Sequence, residues 1–170
     1  MIPYVQSKIF SWKLLPIVLE RFSQIIGGAI RYYFYFFAFK KIGRWVYISR
    51  NVSFGGLYNI ELGNKVAINQ GCNIYGDFGI TIGDNTKLSP YVQVYSANYK
   101  YRRDTIVGAS GVTGKEVTIG DNVWVGAGSI ILPGVNIGDN SIIGALSLVN
   151  KNIPRDEIWA GNPARFVKKI

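Results

Sequence analysis

The sequence predicts an all-β solenoid of short parallel strands, entered through a short helical segment. Three observations carry this. An aliphatic residue returns every six positions along most of the chain, and a small or β-branched residue usually follows it by four. Between them Gly, Asp and Asn cluster, as in Ile82-Gly83-Asp84-Asn85, Ile119-Gly120-Asp121-Asn122 and Ile137-Gly138-Asp139-Asn140. A period of six matches neither an amphipathic helix nor an alternating hairpin strand. It matches a strand closed by a tight corner, repeated, with turn-forming residues at the corner.

The first element is residues 1–41, an aromatic and basic segment. The first 50 residues hold eight Lys and Arg and one acid, Glu20, so they carry +7 of the net +9. They also hold 13 of the 24 aromatics. Pro16 suits a helix start and Gly27-Gly28 interrupts one, predicting a helix that ends near Gly27 and another from about Ala29 to Lys41. The apolar run 25–39 contains Arg31 and falls short of the roughly 20 residues a membrane-spanning helix needs. Two roles remain open for it: covering the end of the solenoid, or lying in a membrane surface with its cations toward anionic head groups. No nucleic-acid partner is expected, because no recognition motif accompanies the charge.

Residues 42–157 are the repeat. The inward aliphatics are Ile42, Ile48 and Phe54; Leu62, Ile68 and Ile74; Ile82, Leu88 and Val94; then Ile119, Val125, Ile131, Ile137, Ile143 and Val149. The small partners run Val46, Val52, Val66, Cys72, Thr86, Val92, Val123, Ser129, Val135, Ser141 and Ser147. Three hexads make one triangular coil, and the two shifts in the series fall at coil boundaries, at 42–60 and 62–80. Residues 99–116, YKYRRDTIVGASGVTGKE, break the repeat and read as a loop extruded between coils, which a solenoid tolerates. Residues 158–170 read as a C-terminal tail.

Composition removes several chemistries. No histidine is present, so a Ser-His-Asp triad, a Cys-His pair and a histidine-bound zinc are all excluded. A single cysteine, Cys72, allows no intrachain disulfide and no cysteine metal cluster. No metal site is expected. At 48% apolar and 17% charged residues, the chain has the composition of a folded protein.

The stretch VTIGDNVWVGAGSIILPGVNIGDNSIIGALSLVNKNIPRDEIWAGNPARFVKKI, residues 117–170, with its closing block IPxxxIWAGNPARFVKK, resembles the hexapeptide-repeat acyltransferases. It is most similar to the maltose, galactoside and serine O-acetyltransferases and their relatives in polysaccharide gene clusters. The resemblance implies a left-handed parallel β-helix, a homotrimer, and an active site at the subunit interface beside the extruded loop. It implies acetyl-CoA as acyl donor in a groove shaped by Trp124 and contacted at Ala127, Ala145, Asn150 and Lys151, with Arg165 and Lys168 near the adenosine phosphates. It implies an acceptor pocket lined by Asn69, Asp77 and Asn98.

The family's catalytic histidine is replaced. It stands in a stretch resembling Ser-Ala-Asn-His, and this chain reads Ser96-Ala97-Asn98-Tyr99. An ordinary tyrosine is protonated at pH 7. A base role for Tyr99 therefore needs neighbouring cations, and Lys100, Arg102 and Arg103 follow it. Asp77 is the other candidate base. Leu146 also stands where the family has glycine, and its bulk is expected to narrow the acetyl-CoA groove.

The resemblance implies acetyl-CoA-dependent O-acetylation of a sugar in a capsular, exopolysaccharide or O-antigen precursor. A lipid-linked acceptor fits that setting, with the protein expected on the inner, cytoplasmic face of the membrane. The alternative is a catalytically silent binding or scaffold protein of the same fold.

Overall fold

The computed structural model describes residues 35–106 and 108–170, together with Gly27. The repeat winds into a triangular prism with three parallel faces. The first face stacks Lys41–Ile42, Ile60–Leu62, Ile80–Ile82, Val117–Ile119 and Asn136–Ile137. The second stacks Tyr47–Ile48, Ala67–Ile68, Lys87–Leu88, Trp124–Val125, Ile142–Ile143 and Glu157–Ala160. The third stacks Ser53–Gly55, Asn73–Tyr75, Gln93–Tyr95, Ile130–Ile131 and Leu148–Val149.

The inward residues are those the repeat marks. From Ile48 to Val149, every hexad aliphatic except Phe54 is buried, and Ile42 and Phe54 pack partly exposed against the end of the core. Of their small partners only Val52 is not buried. The polar ones among them are satisfied. Thr86 Oγ1 donates to Gly120 O at 2.7 Å and accepts from Val123 N at 3.0 Å. Ser129 Oγ donates to Gly144 O at 2.9 Å, and Ser147 Oγ to the same carbonyl at 2.7 Å. A hydroxyl is small enough for the inside of a corner and can bond the backbone that bends there.

Coil length changes along the prism. Ile42 pairs with Leu62, and Leu62 with Ile82, so the first coils advance by 20 residues. Ile119 pairs with Ile137, an advance of 18. The two extra residues enter at the corner between the third and first faces, where Ile60 and Ile80 turn inward and are fully buried. Gly56 takes the left-handed region there, φ 61°, and a Cβ on it would lie 2.8 Å from Asp77 N.

Side chains stitch the corner between the first and second faces. Asn64 Oδ1 accepts from Arg44 N, Asp84 Oδ1 from Asn64 N at 2.7 Å, Asp121 Oδ1 from Asp84 N at 2.6 Å, and Asp139 Oδ1 from Asp121 N at 2.9 Å. Asn140 Nδ2 continues the column to Asp156 Oδ1 at 2.8 Å. The Asn64 backbone N–H and side-chain amide hold the Asp84 carboxyl below its ordinary range; the Asn140 amide and then the Arg155 guanidinium do the same for Asp156.

Both ends of the prism differ from the sequence expectation. Residues 35 and 36 are helical, the chain then turns, and Lys41 opens the first strand, so the helix expected to run to Lys41 ends earlier. The reason is packing. Phe39 turns in against Phe54 (ring centroids 5.1 Å apart), and Tyr35 completes an edge-to-face trio over the first coil. The remainder of the two N-terminal helices lies outside the described residues. Among the described residues no helix is long and apolar enough to cross a membrane. At the other end, residues 158–170 are joined to the prism. Glu157–Ala160 pairs parallel with Ile142–Ile143, and Arg165–Lys169 folds back antiparallel onto it.

Candidate active site

The chain leaves the prism after Ser96, whose hydroxyl is buried between Phe78 N and Tyr75 O. A hairpin follows, Ala97–Tyr99 against Val112–Gly114, and Lys115 N returns to Ser96 O at 3.0 Å. The excursion therefore begins at Ala97, two residues before the point at which the repeat loses its period. At its base lies a hollow of about 350 Å³ lined by Tyr75, Asp77, Tyr95, Ala97, Asn98, Tyr99 and Val112. Three of the predicted site residues, Asp77, Asn98 and Tyr99, meet there. Asp77 is held through its backbone, its carbonyl accepting from Asn59 Nδ2 at 3.0 Å.

Tyr99 pairs across the hairpin with Val112 and is 68% exposed. Among the described residues its hydroxyl has no hydrogen-bond partner. Lys100, Arg102 and Arg103 lie exposed further out on the hairpin.

Asn69 is elsewhere. It occupies the corner between the second and third faces, where its Nδ2 donates to Leu88 O at 2.8 Å. One rung on, Ser89 Oγ accepts from Trp124 Nε1 at 2.9 Å, which fixes the exposed indole. Gly126 and Gly144 continue that column, and Ala127 and Ala145 follow them as exposed small residues. Coils stack closely here: a Cβ on Gly126 would lie 2.5 Å from Ala145 N. Leu146 follows with φ 57°, and its Cδ2 covers Gly128, where a Cβ would come within 2.8 Å. Tyr91 does the same two coils earlier, its ring lying across Gly71.

Lys168 shares an outward row with Trp124, through Ile142 and Ile158, so the two stand three strands apart, about 14 Å. Arg165 is exposed in the same terminal strand, and its Nη1 donates to Ala164 O at 3.0 Å. Asn150 and Lys151 are exposed just beyond the last strand of the third face. Within one chain, then, Trp124, Ala127 and Ala145 lie along a different edge of the prism from the hollow, whereas Asn150 follows Val149 on the row that carries Tyr75 and Tyr95.

The sequence reading missed Tyr75 and Tyr95, which form one wall of the hollow with ring centroids 5.7 Å apart and planes 22° from parallel. A signal was present. Both directly follow an inward aliphatic, Ile74 and Val94, and they are one coil length apart. Among the described residues no cluster of Cys, Asp and Glu is arranged to hold a metal ion.

Comparison with known proteins follows the same lines. Residues 116–151 match the model of the bacterial transferase hexapeptide family (six repeats). Galactoside O-acetyltransferase of Escherichia coli is 35% identical over 132 residues, 78% of this chain and 64% of that enzyme. The crystal structure of a maltose O-acetyltransferase from Clostridium difficile superposes with a TM-score of 0.76 at 40% identity, over 80% of this chain and 72% of that one. A hexapeptide-repeat acetyltransferase from Vibrio cholerae, solved with acetyl-CoA, gives 0.77 at 29% identity over 83% and 76%. Coils of opposite hand do not superpose over such lengths, so the prism winds in the left-handed sense.

Proposed function

Because this chain belongs to the bacterial hexapeptide-repeat transferase family, we propose that it is an acetyl-CoA-dependent O-acetyltransferase whose acceptor is a sugar hydroxyl. The observation that carries the reading is the hollow at the hairpin base, where Asp77, Asn98 and Tyr99 converge on a family scaffold. In the reaction the acceptor oxygen attacks the thioester carbonyl. The new C–O bond forms, the C–S bond breaks, and CoA leaves as the thiol after taking up a proton. Something must accept the hydroxyl proton, and a base is most effective when its pKa lies near the working pH. Asp77 and Tyr99 are the candidates the hollow offers for that role.

The working unit is a homotrimer. The acetyl-CoA groove along Trp124, Ala127 and Ala145 and the acceptor hollow lie on different edges of one prism, so a complete site needs a second copy to bring its groove against the hairpin. Arg165 and Lys168 offer fixed positive charge to the nucleotide end of the donor. The acceptor is a sugar of a capsular, exopolysaccharide or O-antigen precursor at the inner face of the cytoplasmic membrane. Support for the membrane comes from the first coil, which exposes Phe37 at 83% and Trp45 at 81% beside Lys41 and Arg44. Flotation with anionic liposomes tests this, and a form starting at Lys40 is expected to float less.

The activity test is CoA thiol release from acetyl-CoA with a panel of sugars. Tyr99→His is expected to raise the rate by about 10²-fold or more, the usual worth of a matched base. No transfer by either form, with no calorimetric binding of acetyl-CoA, would sink the reading. Tyr99 in place of the family's histidine favours one second reading, a binding protein of the same fold; it requires ligand binding without thiol release.

A further inference from the structure

We infer that Tyr75 and Tyr95 are acceptor-specificity residues, an aromatic wall that selects a cyclic saccharide over an acyclic alcohol or a hydroxy amino acid. This rests on reading the hollow as the acceptor site. The wall is built in and held. Gly55, Tyr75 and Tyr95 are consecutive rungs of the third face. Glycine at 55 leaves room for the Tyr75 ring, since a Cβ there would lie 2.5 Å from Tyr75 Cδ1. Tyr95 Oη donates to Gln93 Oε1 at 2.7 Å, and Tyr75 Oη lies 3.4 Å from Ser53 Oγ. The phenol ends are thus tied along the prism surface while the rings border the hollow.

The chemistry of the lining names the ligand class. A sugar ring has patches of C–H that pack on aromatic carbon and a rim of hydroxyls that need acceptors and donors. The hollow supplies aromatic carbon from Tyr75 and Tyr95, and hydrogen-bonding groups from Asp77 and Asn98 at its margin. Among its lining residues Asp77 is the one Asp, Glu, Lys or Arg. A zwitterionic acceptor such as serine would therefore bring a carboxylate with no cation in the lining to meet it. An acyclic polyol has the hydroxyls without a rigid C–H face, and it loses rotational freedom on binding.

The test is saturation-transfer NMR of the full chain with methyl hexopyranosides, sorbitol and L-serine, alongside calorimetry with acetyl-CoA. The pyranosides are expected to receive saturation at their ring C–H protons, and sorbitol and serine not. Tyr95→Ala should weaken pyranoside binding about tenfold, the order of a lost aromatic contact together with its buried area. Gly55→Ala should weaken it too by displacing Tyr75 from beneath, and both variants should bind acetyl-CoA as the wild type does. Equal binding of serine or sorbitol, no pyranoside binding, or wild-type affinity in both variants would overturn the inference. Thiol release separates the two readings. Pyranoside binding without acetyl transfer ends the transferase proposal and leaves the wall, whereas transfer with unchanged KM in both variants ends the wall and leaves the transferase.

Discussion

Leu146 holds a backbone conformation that costs a branched residue about 1–2 kcal/mol, with φ 57° at a corner where the preceding coil uses Gly128. It is 76% exposed, so burial returns little of that cost. Leu146→Gly is expected to raise stability by roughly 0.5 kcal/mol, the strain relieved less the entropy a glycine adds to the unfolded chain. Urea denaturation reads the change. If the acetyl-CoA groove runs beside Ala145, the same substitution should tighten acetyl-CoA binding in calorimetry. Cys72 is the opposite kind of residue. Burial raises its thiol to about 11, and its Sγ donates to Ser89 O at 3.2 Å. At pH 8 a thiol reagent should therefore label it only as fast as the prism opens, and labelling should accelerate in step with unfolding in urea.

At the scale of the element, the corners decide stability as much as the strands, which are only two to four residues long within the stack. Thr86→Val keeps the shape of the corner but strands Gly120 O and Val123 N, and should cost about 1–3 kcal/mol by denaturant melt. The carboxylate column sets the acid limb. Asp84 and Asp156 have folded values held below the ordinary 3.8, so their contribution is present above that value and is lost as pH falls through the lowered ones. Thermal midpoints measured from pH 6 downward should drop below about pH 4, and Asp84→Asn, which keeps the acceptor oxygen but cannot titrate, should flatten that slope. The strands themselves were legible in sequence because their inward residues are the aliphatics of the hexad. The two extra residues before Ile60 and before Ile80 read only as a phase shift. The corner that absorbs them depends on Gly56 and on which coil lies above. Tyr75 and Tyr95 escaped notice for a related reason. Their outward positions acquire meaning from the glycine one rung below and the hairpin above, neither of which a linear repeat displays.

For the whole molecule, the sequence grouped Asn69 with Asp77 and Asn98, and the prism places it at another corner, beside Ser89 and Trp124. Sequence similarity assigns residues to a site without saying which chain supplies them, and that is the gap the proposed trimer would fill. The prediction at this scale is that activity and oligomer dissociate together: dilution through the trimer equilibrium, followed by sedimentation velocity, should abolish thiol release over the concentration range in which monomer appears.

To the rest of the stack, Ser96 and Lys115 are adjacent residues, their backbones joined at 3.0 Å as if the hairpin were absent. The length and sequence of that insertion are thus decoupled from the register of every coil on either side. Ile82 meets Ile119 across it with the same pairing that joins uninterrupted coils. The neck is a socket: a hairpin from another member of the family grafted between Ser96 and Lys115 is expected to leave the thermal midpoint of the prism unchanged.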